Sequence, residues 1–331
     1  MTRSHRAQPA ARRGVVFLFS AFLLVAILLI IMYGRTLPTE RERTESISVR
    51  IGTMNDFLKD LHADVHRATF IAGFRSLIAI EQYSNEHGAY LADPEQSFVE
   101  AFMNGTINGT AYEVLNESTF GDYLARVNAE ANAIGIVLNI SVSNVTLGQS
   151  TPWSVDVAFD MAVNVTDTRG LARWDYDRRF ATEVSILDLR DPAYSVLTYG
   201  KVPNTFRISP YNNTDFVDGN DTTNLHDEIA NMYYREDPYA PSFLQRLAGN
   251  LTGSSKYGIA SLVDLDELSA QGLYAKTYLS DVDYLYFSNT TTTVYCPGKG
   301  EPLQSWLKID QEHYLDAAHD YGLQELNSTV C

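Results

Sequence analysis

Between Arg13 and Arg35 the chain carries no charged side chain, in the run Gly14 to Gly34, GVVFLFSAFLLVAILLIIMYG. Wound as a helix, this run is about 30 Å long, the thickness of a bilayer's hydrocarbon core. Nothing else in the sequence limits the fold so strongly, because a segment of this length and apolarity requires lipid or an unusually large core. Residues 14–34 therefore read as a single transmembrane helix. The preceding residues 1–13 hold Arg3, Arg6, Arg12 and Arg13 and no acid. Positive flanks stay on the cytoplasmic side, which makes 1–13 a cytoplasmic basic leader and puts the C-terminal part outside the cell membrane. A cleaved secretory signal is the alternative. Its apolar region is about 7–15 residues and closes on small residues. Here the run is longer and closes on Met32-Tyr33-Gly34-Arg35, which favours an uncleaved anchor.

The whole chain has a net charge of −16, so a leader of +4 leaves −20 on everything that follows. Such a surface repels phosphate backbones and argues against a nucleic-acid partner; self-repulsion and solubility account for the charge. Two cysteines, Cys296 and the terminal Cys331, both fall on the exported side, where disulfides persist. Joined, they would close a loop of about 35 residues and stabilise the fold by about 3–4 kcal/mol. A free or intermolecular terminal thiol is the alternative. With 19 Asn and 50 Ser or Thr, chance gives about three Asn-x-Ser/Thr sequons, yet there are eleven. They start at Asn104, Asn108, Asn116, Asn139, Asn144, Asn164, Asn212, Asn220, Asn250, Asn289 and Asn327, all beyond the anchor. A Thr- and Asn-rich loop composition explains some of them. The excess points to a glycosylated outer surface.

After the anchor, Thr36-Leu37-Pro38 is expected to interrupt the helix, and Thr39 with Glu42 to restart it as a capping box. Apolar residues then recur at Ile47, Ile51, Met54, Leu58, Leu61, Val65, Ala68 and Ala72, alternating steps of four and three. This is a heptad seam on a long amphipathic helix within 35–90, widened by Phe57, Phe70, Ile71, Phe74, Leu77 and Ile78 and stopped near Gly88. Either the chain's own sheet or the same helix in neighbouring copies must cover it. Helices are expected near Pro94–Met103 and Thr119–Ala133. Three alternating strands follow. The first runs through Ile136, Leu138, Ile140 and Val142. The second holds Trp153, Val155, Val157, Phe159, Met161, Val163 and Val165, and the third Trp174, Tyr176, Phe180, Val184 and Ile186. Short turns between them make an antiparallel meander, with Asn139 and Asn164 on the wet faces. Tyr194–Tyr199 reads as an edge strand. Residues 203–223 form a Pro/Asn/Asp/Thr loop and a candidate boundary. Beyond it helices are expected near Leu225–Tyr234, Ser242–Ala248 and Asp310–Tyr321, and strands near Tyr257–Val263 and Val282–Phe287. The fold class is thus α+β: a transmembrane helix, a long amphipathic helix, an extracellular α+β domain with an antiparallel sheet over 91–202, and a second extracellular α+β segment over 203–331.

Chemistry-bearing residues are few. His62 and His66, four apart, share a helix face, but Ala63 stands where a zinc protease needs Glu, so polar flanks of a packed helix are the simpler account. His313 and His319 do not share a face. Asp281-Val282-Asp283 has the Asp-x-Asp form with which many sugar transferases hold a metal–nucleotide pair; Asp264 and Asp266 share it. Gly298-Lys299-Gly300 lacks the strand and loop of a phosphate cradle, and no Ser-hydrolase elbow or dinucleotide fingerprint is present. No cofactor or metal site is expected.

Residues 12–34 resemble the leader of type IV pilin-like proteins, the archaeal ones especially. Arg12-Arg13-Gly14 followed by Val15 matches their processing point, and an unbroken apolar helix follows. Position five after that point is Phe19, where many pilins carry Glu. The phrases Asp191-Pro192-Ala193-Tyr194 and Ser242-Phe243-Leu244-Gln245-Arg246-Leu247 look like those of archaeal envelope proteins. The resemblance implies cleavage between Gly14 and Val15, a sheet-bearing head, and association through the apolar helix with copies of itself or with other envelope subunits. The expectation is a non-enzymatic, membrane-anchored extracellular glycoprotein of pilin-like build, with an assembly or surface-interaction role and the lipid bilayer as its first partner. The alternative is a type II membrane enzyme, such as a glycosyltransferase using Asp281 and Asp283.

Overall fold

A computed structural model describes residues 10–212, 214–219, 221–297, 307–315, 321, 323 and 328–331. Helix α1 runs without interruption over Ala10–His87, 78 residues. The expected break at Pro38 is therefore absent; the side chains of Thr39 and Glu42, the expected capping box, lie outside the described ones. One proline costs a helix its bond and a carbonyl clash, about 3 kcal/mol. Ending one helix and nucleating another between two strongly helical segments is the costlier course. Gly14–Tyr33 of α1 is long and apolar enough to cross a membrane. Its large side chains from Val15 to Tyr33 are 48–75 % exposed, so the protein itself covers none of them.

The chain groups into two units, the first comprising residues up to Leu61 together with Thr166–Arg173. In it the turn segment meets the helix through Arg50, whose Nε donates to Asp167 Oδ1 at 2.6 Å. The turn closes on itself through Asp167 N–H to the Ala172 carbonyl at 3.0 Å. Met54, Leu58 and Leu61 of the seam are buried, whereas Ile47 and Ile51 stay 38 % and 40 % exposed.

The second unit takes residues 62–165 and 174–331. The seam continues in it with Val65 and Ala72 buried and Ala68 half-buried. Helix α2 spans Pro94–Asn104, capped by the Asp93 side chain, with Pro94 in its first turn. A small hairpin, β1 (Thr106–Ile107) and β2 (Thr110–Ala111), leads through a 3-10 turn to α3 (Phe120–Ala133). A Thr119–Asp122 capping box starts α3, as its Thr-x-x-acid spacing dictates. The meander follows as β3 (Ile136–Thr151), β4 (Ser154–Asp167) and β5 (Arg173–Ser185), in the order β3-β4-β5. Val155, Val157, Phe159, Met161, Val163 and Val165 are all buried, as period two requires. Helix α1 lies on this face: a Cβ on Gly73 would stand 3.2 Å from Val184 and 3.4 Å from Val157. The missing side chain is what allows so close an approach. Phe102, Phe120 and Phe159 form the centre, with ring centroids 4.8–6.2 Å apart.

The expected edge strand at Tyr194–Tyr199 is instead helix α4, Pro192–Leu197. Asp191 accepts from the Ala193 N–H at 2.7 Å. The Asp-Pro pair is a helix start, and it outweighs the β propensity of Tyr and Val. Helices α5 (Thr223–Asn231) and α6 (Phe243–Leu247) flank β6 (Tyr234–Glu236), which pairs antiparallel with β7 (Ile259–Ser261). Tyr234 thus opens a strand rather than ending α5. After α7 (Leu265–Ala270) comes α8, Asp283–Ser288, where a strand was expected. Asn289 closes α8 in the left-handed conformation, a stop signal that the aromatic run Tyr284–Phe287 conceals. Strand β8 (Val294–Pro297) pairs antiparallel with both β9 (Ile309–Asp310) and β10 (Ser328–Val330). Helix α9 covers Gln311–Leu315; residues 316–320 of the expected last helix lie outside the described residues. Cys296 and Cys331 are joined. Apart from Thr166–Arg173, the segments 91–202 and 203–331 fall in this same unit, and backbone bonds cross the candidate boundary: Asp188 N–H to the Phe206 carbonyl at 3.0 Å, and Phe206 N–H to that of Leu189 at 2.9 Å.

Candidate functional site

Two buried charge clusters occupy the C-terminal half of the second unit. The first centres on Arg246, fully buried in α6 because the Ser242–Gln245 capping box fixes that short helix and points its apolar face inward. Its guanidinium lies 2.6 Å from Asp191 and 2.9 Å from Asp283, and also donates to the Ile259 carbonyl. Tyr234 donates its hydroxyl to Asp191 at 2.7 Å, and Ser261 its hydroxyl to Asp283 at 3.1 Å. Burial works against the guanidinium's charge, but Asp283 and Asp191 outweigh it and hold the charge firmly. For Asp283, burial wins: its carboxyl is pushed up despite Arg246, with Asp191 adding repulsion.

The second cluster centres on His313. Its Nε2 lies 2.8 Å from Asp237 Oδ2 and its Nδ1 2.9 Å from Asp310 Oδ2. A carboxylate only accepts, so both ring nitrogens carry protons and the ring is an imidazolium. Burial opposes that charge, yet the bonds its N–H groups donate to Asp237 and Asp310 raise the ring to about 10. Ser280 donates to Asp310 at 3.0 Å. Gly258 makes room for the Asp237 turn, since a Cβ there would collide with the Asp237 and Ala240 carbonyls. A cleft of about 760 Å³ opens beside this cluster, between α8, the following loop and α9.

Asp281 and Asp283 do not converge on a metal position. Asp283 is committed to Arg246, and Asp281 accepts from the Lys308 N–H at 2.6 Å; both side chains are buried. Burial pushes Asp281 up to about 7, against the Lys308 bond, and Glu228 up to about 7, against its Ser209 bond. Among the described residues no group of three or more His, Cys, Asp or Glu could hold a metal. Asp264 caps α7, accepting from Asp266 N–H and Glu267 N–H, both at 2.9 Å. His62 meets the Tyr176 hydroxyl at 2.7 Å and His66 the Thr182 hydroxyl at 3.2 Å, so the pair packs against β5 rather than sharing a ligand. His319 and Gly298-Lys299-Gly300 lie outside the described residues.

Eight of the nine described sequon asparagines are exposed, and the ninth, Asn164, is half-buried. Of the seven other described asparagines, Asn55, Asn85, Asn128 and Asn132 are exposed, Asn224 and Asn231 half-buried and Asn204 buried. Asn220 and Asn327 lie outside the described residues. Asn144 Nδ2 donates to Asp160 at 2.9 Å, and Asn164 Nδ2 donates to Asp175. A linked glycan leaves one amide hydrogen on each asparagine, the number that each of these bonds uses. Gly14 and Val15, the candidate processing residues, both lie exposed in the helical backbone of α1.

The sequence did not single out Asp191, Arg246, Asp237 or Asp310. Two signals for them exist in it. Arg246 stands between Phe243 and Leu247 on a capped helix, where an exposed arginine would not be flanked by core residues. Asp310 and His313 are three apart at a helix start, within reach of one another. Comparison of the chain with protein-family models, with curated proteins and with solved structures finds no match.

Because Glu228 and Asp281 prefer the protonated form when folded, their contribution to stability is complete below about pH 4 and is lost as pH rises through 7. Asp310 is the opposite case. Burial would raise it, but the His313 bonds lower it, so its contribution is lost on acidification below the ordinary carboxylate range. Melting of the chain in detergent is therefore expected to rise by roughly 5–10 °C from pH 8 to pH 5 and to fall again in stronger acid. Glu228→Gln with Asp281→Asn makes the upper limb shallower and leaves the part due to His313, whose ring, raised to about 10, also gives up stability as pH rises above the ordinary histidine value. A melting temperature that climbs from pH 5 to pH 8 contradicts this assignment.

Proposed function

We propose that this chain is a single-pass surface glycoprotein of pilin-like build, whose task is assembly or attachment at the cell envelope rather than catalysis. The observation that carries the reading is α1: one unbroken helix whose start is bare and apolar and whose end lies on a sheet. The arginine leader supports a cytoplasmic N-terminus, and the open sequons support glycans on the outer face. Ile47, Val49 and Ile51 are exposed on α1 within the first unit, and they offer a surface to neighbouring subunits.

N-terminal sequencing of the protein from its native membrane tests the pilin-like route: Val15 at the start supports it, whereas Met1 or Thr2 removes it. Glycopeptide mass spectrometry is expected to find sugar on several of the nine described asparagines; bare peptides at all of them end the glycoprotein reading. Ile47→Glu with Ile51→Glu is expected to lower crosslinking between copies in the membrane about tenfold while leaving the head's melting within about 2 °C. Unchanged crosslinking shows that this stripe is not the contact.

A further inference from the structure

The cleft beside the His313 cluster has the size of a small-molecule site and a lining unlike that of a leftover gap. Its base is Asp310, which cannot swing because His313, Ser280 and the Glu312 N–H all hold it. Around it stand Thr292 and Thr293, the amide of Gln311 and the carboxylate of Glu312, all exposed. Tyr239 lines the cleft with its ring 43 % exposed.

We propose that this cleft binds a neutral oligosaccharide. A pyranose offers adjacent hydroxyls on its rim and a C–H face. A planar carboxylate or amide takes two neighbouring hydroxyls together, threonine hydroxyls serve as donor or acceptor, and an aromatic ring packs on the C–H face. Glu312, Gln311, the threonines and Tyr239 supply that set. None of the described lining residues is basic, and Asp310 and Glu312 bring negative charge, so phosphate-, sulfate- and nucleotide-bearing ligands are disfavoured. Asn289, exposed, directly precedes the lining residue Thr290. The sugar therefore has two sources: a glycan on this chain's own Asn289, or a free or foreign glycan.

The test is saturation-transfer NMR of the full chain in detergent, with mannotetraose, maltotetraose, cellotetraose and chitotetraose, and a nucleotide sugar as the anionic control. At least one neutral sugar is expected to bind, and the nucleotide sugar is not. Glu312→Ala weakens binding about tenfold, and Thr292→Val with Thr293→Val weakens it several-fold. These side chains are exposed, so neither change removes a core contact. Binding seen only with Asn289→Gln identifies the chain's own glycan as the occupant; binding to both forms identifies an external sugar. The proposal is overturned if no neutral sugar binds either form, if the variants bind as well as the parent, or if the nucleotide sugar binds equally.

Discussion

Arg246→Met is expected to lower the melting temperature of the head by about 10–15 °C, followed by circular dichroism of the full chain in detergent. The side chain is fully buried and lies against two buried carboxylates, Asp191 and Asp283. Removing it leaves those carboxylates in a low-dielectric interior with no cation, a loss of about 3–5 kcal/mol. For a head of this size each kcal/mol moves the midpoint by about 2–4 °C. Methionine keeps most of the volume, so the effect reports the charge rather than a cavity. Adding Asp283→Asn to Arg246→Met should return part of the loss, because one of the stranded charges is removed with it. A midpoint within 3 °C of the parent, or a double variant worse than the sum of its parts, is incompatible with this account.

Cys296→Ser with Cys331→Ser is expected to cost about 3–4 kcal/mol, or about 10 °C, by releasing a separation of 35 residues in the unfolded chain. Strand β10 pairs with β8 over three residue pairs, one of them Thr329 opposite Cys296, so the bond joins elements already in register. The loss should therefore be larger than that of a loop-tip disulfide. Protease sensitivity should increase first at the C-terminal end, where, among the described residues, β8 is the strand paired with β10. Equal melting of the oxidised and Ser-substituted chains would show that the strand pairing alone suffices.

Local sequence signals were legible where one physical pattern dominated. Thirteen alternating residues from Trp153 to Val165 read correctly as a strand because one face had to be buried. The helix expected near Thr119–Ala133 is α3, Phe120–Ala133, with Thr119 as its cap. Reading failed where two signals competed within six or seven residues. Tyr194–Tyr199 and Val282–Phe287 have β-favouring side chains, but an Asp-Pro start at one and an asparagine stop at the other made both helical. At Pro38 the length of helix on either side outweighed one disfavoured residue.

From order and composition alone came the apolar anchor, the arginine leader and the list of sequons, because each depends on residues close in sequence or on a count; that Cys296 and Cys331 pair with each other was one of two readings until the fold joined them. Only the folded chain decided that Arg246 meets Asp191 and Asp283, and that His313 bridges Asp237 and Asp310. Those partners are 55, 37 and 76 residues apart, apart from Asp310 at three. A buried charge is tolerated only when its counter-charge arrives in three dimensions, and no local pattern records which distant carboxylate that will be.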